Sequence, residues 1–176
     1  MPTINATPIP SNINPLSPNG FTFSITKLPE VSFFSQQVSI PQISLGYIDQ
    51  GTPFVMVPIP GEIMTFGELD LQFIIDEDMA NYKALFAWIQ GLGFPEDNEQ
   101  YTDMLARDTV NKTELSKNYS DAILGILSSS NNPTTSIRFV DIFPVSLSSL
   151  TFASNSQDVQ YLIGSASFKY SYYNFI

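Results

Sequence analysis

Glu68 and Asp70 are the two residues of this 176-residue chain best spaced to do chemistry together. In an extended strand, residues two apart share a face and lie about 6.5–7 Å apart at the backbone. Two carboxyls at such a spacing can serve as acid and nucleophile in glycoside hydrolysis. Against that stands a plainer origin, because alternating acids on a solvated face are what any half-buried strand shows. A second acidic group, Asp76-Glu77-Asp78, suggests calcium. A hand-type calcium loop needs alternating oxygens, a central Gly and a closing Glu, and these are missing. Capping of the helix that follows is the better account of the triplet. Tyr82 and Trp88 offer aromatic rings for stacking on a sugar, but they fall in an apolar helical stripe and read as core.

The rest of the catalytic inventory is thin. The chain has no Cys and no His, which removes disulfides, thiol nucleophiles and zinc–thiolate sites together with the commonest general base and metal ligand. No GxSxG elbow occurs, and none of the nine glycines is spaced GxGxxG or GxxxxGK. The expectation is therefore no catalytic site, no metal, no cofactor and no enzyme activity. The formal net charge is −10, with seven basic residues scattered from Lys27 to Lys169. Such a chain cannot grip a phosphate backbone by counterion release or make a polybasic membrane patch.

Composition suits a single folded domain rich in β structure. Hydrophobic residues make up 43% and charged residues 14%, with 14 Phe and 8 Tyr, a profile that favours strands over helices and excludes disorder. No apolar run approaches the length of a membrane span. The first residues, MPTINATPIPSNINP, carry neither a basic region nor an apolar core, so no secretory leader is expected there.

The elements that would position these residues follow from periodicity. Residues 1–19 hold several Pro and Asn and no charge, which predicts a flexible arm or a segment that orders on a neighbouring subunit. Phe21, Phe23 and Ile25 alternate with Thr22, Ser24 and Thr26 as a first strand. The stretch VSFFSQQVSIPQISLGYI reads as one or two strands, with Pro41 marking an edge or a bulge. PFVMVPI then enters a turn at Pro60-Gly61, and a longer strand returns in which Leu69, Leu71, Phe73 and Ile75 alternate with Glu68, Asp70, Gln72 and Ile74. Tyr82, Leu85, Phe86 and Ile89 make the buried face of a helix that ends at Gly91, Gly93 and Pro95. Glu96 to Asn118 is polar and carries six acids, Glu96, Asp97, Glu99, Asp103, Asp108 and Glu114. It reads as a loop excursion over 95–120 with a short helix around Met104-Leu105. Ala122 to Ser128 and Thr135 to Phe143 flank the turn cluster Asn131-Asn132-Pro133 as a hairpin, and Val159 to Tyr173 forms a last strand. The fold class is mainly β: an antiparallel sandwich or barrel with one flanking helix and a long hairpin.

That long hairpin resists a bland account. Phe54, Val55, Met56, Val57 and Ile59, with Met64 on the return, place apolar residues on both faces. An isolated sheet of that kind would aggregate edge to edge, whereas closure into a symmetric ring removes the edge. The chain here resembles the tail-tube proteins of tailed bacteriophages, the contractile type above all, and more distantly the tube protein of type VI secretion. The resemblance is carried by LPEVSFFSQQVSIPQISLG, VPIPGEIMTFGELDLQFIIDEDMANYKALFAWIQ, YSDAILGIL, SIRFVDIFPVSLSSLTF and SASFKYSYYNF, and covers Gly20 to Ile176. It implies a single tail-tube-like domain over 20–176 and a structural virion protein. Six copies would form a ring whose hairpins, Phe54 to Asp70, make an inner β-barrel, and rings would stack into a conduit for DNA. Glu62, Glu68 and Asp70 would line the channel, where like charge repels phosphate. Partners would be further copies of the chain and sheath, baseplate or tail-terminator proteins, in a tail assembled in the host cytoplasm without a membrane anchor. A tube-like baseplate initiator or a tail-terminating protein fits the same resemblance. From another class, a carbohydrate-binding β-sandwich would rely on Tyr101 and Tyr119 as its loop aromatics.

Overall fold

A computed structural model describes residues 13–108, 113, 115–153 and 161–176. Residues 1–12 of the expected arm, Glu114 of the excursion and Val159 of the last strand lie outside the described residues. Strand β1 (Phe21–Ile25) is followed by a single helical turn, α1 (Pro29–Phe33), and by β2 (Ser35–Val38). Then come β3 (Ile43–Gly51), β4 (Met56–Phe66), β5 (Leu69–Ile74), helix α2 (Ala80–Gly93) and helix α3 (Glu99–Arg107). The chain closes with β6 (Ser120–Leu127), β7 (Pro133–Leu147), β8 (Ile163–Lys169) and β9 (Tyr172–Phe175). Among the described residues, seven strands form one antiparallel sheet in the order β1-β6-β7-β8-β5-β2, with β9 also paired to β7, while β3 and β4 pair only with each other.

The seven-stranded sheet folds on itself through β7. Its first half pairs with β6 and β9 and its second half with β8. The change of direction falls at Asp141, which has φ +56°. That left-handed backbone is held by Asp121, whose Oδ1 accepts the Asp141 amide at 3.3 Å. The inward faces meet in one core. Phe23, Ile25, Leu124, Ile137 and Phe139 from one half pack with Leu69, Leu71, Phe73 and Phe168 from the other. β5 keeps the expected alternation, with its Leu and Phe residues buried and Asp70 and Gln72 in solvent.

Helix α2 covers one side of the core, and the Asp76 carboxylate caps it by accepting the Ala80 and Asn81 amides at 3.1 and 3.2 Å. Its buried stripe is Asn81, Leu85, Trp88 and Gly91, so the expected stripe is rotated and Phe86 is exposed. The rotation seats Trp88 on Phe168 and lets the indole Nε1 donate to the Asn118 carbonyl at 3.3 Å. The expected 95–120 loop holds α3, an ordered helix that lays Met104 directly on Gly91. A Cβ at Gly91 would sit 2.5 Å from the Met104 Cβ. Gly91→Val should therefore force the two helices apart and cost about 1–3 kcal/mol, the range for overpacking. A chemical denaturation curve measures the loss, and limited proteolysis should cut first in α3.

Candidate functional site: an unpartnered hairpin and a polar sheet face

The hairpin is displaced by one strand from the sequence expectation. Pro60-Gly61 is no turn: β4 runs straight through it, and its partner is β3 rather than β5. The turn lies at Thr52-Pro53-Phe54-Val55, where Thr52 accepts and donates at once. Its Oγ1 takes the Val55 amide at 3.1 Å and donates to the Val55 carbonyl at 2.6 Å. Pro53 suits the second position of such a turn. Pro60 and Gly61 instead mark a bulge, because the register steps from Leu45↔Met64 to Tyr47↔Pro60. Opposite Gly46, the strand holds three residues instead of one. Glycine is needed at position 61, since a Cβ there would meet the Gly46 carbonyl oxygen at 2.6 Å.

None of the hairpin's residues is buried. Phe54 at the tip is 97% exposed, and Val55, Met56, Val57, Ile59 and Met64 are all exposed as well. Leu45, Tyr47, Ile48 and Ile63 extend the same apolar surface. Periodicity could not reveal β3 and β4 as partners, because a strand open on both faces has no reason to alternate. The hairpin base is tied to the body by aromatic rings. Phe66 packs on Tyr170 and Tyr173 at 5.9 and 5.6 Å, and both tyrosines pack on Phe139.

The Tyr170 hydroxyl in that cluster is buried with no hydrogen-bond partner among the described residues. Loss of solvent, with Tyr173 adding to it, pushes its pKa up to about 12. The folded protein therefore holds this proton more tightly than the unfolded chain, whose tyrosines ionise near 10. The associated stability is complete below pH 10 and is lost as pH rises towards 12. Tyr170→Phe should leave stability at neutral pH equal or slightly higher and flatten that alkaline decline, as thermal melts at a series of pH values would read.

Glu68 and Asp70, whose spacing was weighed against hydrolysis, have separate partners. Both lie on the outward face of the sheet, and each is engaged by β8. Lys169 Nζ stands 3.2 Å from Glu68 Oε1, and the Ser167 hydroxyl donates to Asp70 Oδ1 at 2.7 Å. Glu62 lies on the hairpin, in the bulge. Two clefts, of about 320 and 270 Å³, lie elsewhere, one lined by Trp88 and Met104 and the other by Asp108 and Asp121. Among the described residues, no group of three or more acids is arranged to hold a metal ion. The aromatic rings proposed for sugars are also otherwise occupied. Trp88 is buried, Tyr82 donates to the Ser148 carbonyl at 3.0 Å, Tyr101 packs on Phe94 and Tyr119 on Phe143.

Lys27 is a cation carried inward. It lies 5.0 Å over the Trp88 ring and 3.4 Å from Asp108. Burial lowers its pKa, against the pull of Asp108. The knot ties the end of α3 to the strand edge, a structural duty.

The open edges matter as much as the hairpin. β2 ends the sheet on one side. β7 pairs with β6 only as far as Ile142, so Phe143–Leu147 has β8 on one side and no strand on the other among the described residues. Pro144 sits on that edge, where a missing amide proton costs least. β2, β5, β8 and the end of β7 thus make a four-stranded layer with two free edges, its outward face mostly polar but including the exposed Val145 and Ile163. No helix among the described residues is long and apolar enough to cross a membrane.

This arrangement has known counterparts. No curated protein matches the sequence. Among solved structures, the tube-terminating cap of the anti-feeding prophage is similar at 15% identity, with 98% of this chain and 97% of that chain covered and a TM-score of 0.59. The sheath–tube complex of the extracellular contractile injection system PVC is similar at 15% identity, 93% coverage of each chain and a TM-score of 0.58. The sheath/tube terminator of that system follows at 15% identity, 98% and 99% coverage and a TM-score of 0.53. These likenesses establish a shared fold. The sequence matches the phage tail tube protein family over residues 7–176, and the chain belongs to that family.

Proposed function

We propose that the chain is a non-enzymatic structural subunit that closes into hexameric rings, and that the rings stack into a tail tube through which DNA passes. The observation that carries this reading is the β3–β4 hairpin, apolar on both faces and without a buried residue. A two-stranded ribbon of that kind is marginal in water by itself and is satisfied by a second copy of the chain. The free edges of β2 and of Phe143–Leu147 allow the four-stranded layer to continue from copy to copy, which closes the sheet and removes its edges. Its mostly polar face, with Glu68 and Asp70, then lines the channel, and Phe54, Met56, Val57, Ile59 and Met64 meet the neighbour. Sheath, baseplate and terminator proteins are the proposed further partners, in a virion tail assembled in the host cytoplasm.

A terminal ring, at the neck or the baseplate, is the second reading, because the fold is shared about equally with a cap and a tube complex. Negative-stain electron microscopy of the concentrated protein at neutral pH separates them. Tubes with an open centre and sixfold averages support the repeating subunit, and single closed rings support the terminal one. Dispersed monomers at every concentration would overturn both.

A further inference from the structure

The outward face of the layer formed by β2, β5, β8 and the end of β7 carries a single cation, Lys169, among its described residues. Around it stand short or neutral groups: Gln36 and Gln37 on β2, Gln72 on β5, Ser165 and Ser167 on β8. Glu68 and Asp70 supply the only acids. In the β5–β8 register Leu69 faces Phe168 and Asp70 faces Ser167, which sets Glu68 across from Lys169, and the two charged ends stand 3.2 Å apart. Both side chains are about half exposed, at 45% and 46%. A pair that open to water adds little to folding stability, so stability is a poor reason for it.

We propose that Glu68, with Asp70 beside it, masks Lys169 and so denies a passing polyanion its one point of attachment on this face. The proposal rests on the assignment of this face to the channel. A carboxylate 3.2 Å from the ammonium cancels most of its field well inside a Debye length of about 8–10 Å. An approaching phosphate then meets a dipole instead of a charge. Repetition makes the mask matter. Stacked rings would present Lys169 as a regular lattice, and each phosphate contact releases counterions and adds to the others. A lattice of bare lysines would hold a polyanion that the tube has to release. The wall works by offering no grip, and strong repulsion is unnecessary, since Glu68, Asp70 and Lys169 together leave this face only weakly negative.

The test compares assembled wild-type protein with Glu68→Gln/Asp70→Asn and with the triple variant that adds Lys169→Gln. The probe is a fluorescent 20-base-pair DNA duplex at low salt, with retention read by co-sedimentation. The double variant should retain about tenfold more duplex than wild type, with the excess lost in high salt, and the triple variant should return to the wild-type level. No gain in the double variant overturns the proposal. Equal retention by the double and triple variants also overturns it, because the acids would then act by general repulsion. A second readout needs no assembly: the side-chain NMR signal of Lys169, assigned by its loss in Lys169→Gln, is followed as inorganic tripolyphosphate is added to the free subunit. It should shift in the double variant and stay still in wild type, and equal shifts in both overturn the mask. Absence of rings or tubes counts against the channel, whereas the NMR outcome decides the mask by itself.

Discussion

Val57→Asp should give a subunit that folds as wild type does and does not polymerise. Val57 lies on β4 opposite Gln50 and is 42% exposed, with Met56 and Ile59 exposed beside it. In the free subunit the new carboxylate stays in water, and a surface change of that kind moves stability by no more than about 0.5 kcal/mol. Against a neighbour the same carboxylate would be buried without a partner. That costs several kcal/mol per charge, and a closed ring would repeat the cost at every subunit contact. Circular dichroism and a thermal melt should match wild type, while electron microscopy shows no rings or tubes. If the variant unfolds outright, the hairpin belongs to the subunit's own core. If it polymerises normally, Val57 lies outside the contact.

Phe139→Ala should do the reverse damage. Phe139 is fully buried at the centre of β7, edge-on to Tyr170 and tilted against Tyr173 with ring centroids 5.2 and 5.5 Å away. Removing a buried phenylalanine ring costs about 3–5 kcal/mol, out of the 5–15 kcal/mol that typically holds a domain together. For a chain of this size the melting midpoint should fall by on the order of 10 °C. The tyrosines that receive Phe66 lose their backing too, so amide exchange at the hairpin base should quicken along with that of the core. A midpoint within a degree or two of wild type would show that the aromatic cluster contributes little. The two substitutions separate folding from assembly, since one leaves the subunit intact and the other weakens it from inside.

What was legible in the sequence was whatever one segment settles by itself. Leu69, Leu71 and Phe73 alternate because β5 has one wet and one dry face, and the β6–β7 hairpin is announced by its Asn-Asn-Pro turn. The resemblance to tail-tube proteins rested on such local patterns and agrees with the family match. Pro-Gly is turn chemistry, so the sequence points to a turn at Pro60-Gly61, and nothing local shows that a threonine clasp at Thr52 closes the chain eight residues earlier. α3 was missed as a full helix since a single side chain, Met104, is buried along it. Phe86 misled because it completes an apolar stripe by spacing, while contacts with Phe168 and Asn118 decided which side of α2 faces inward. The Lys169 mask was invisible for a simpler reason. It depends on the β5–β8 register, which joins residues about a hundred positions apart, such as Asp70 and Ser167.

The closed turn at the hairpin tip bears on what it costs such subunits to dock. Thr52 fixes the loop through its own backbone and hydroxyl before any neighbour arrives, so the arm presents its strands in register. Less conformational freedom is then lost at the encounter, and that loss is a main opponent of association. For the proposed ring, a tip closed in this way would lower the ordering cost of docking, although the rest of the ribbon is firmed only by the neighbour.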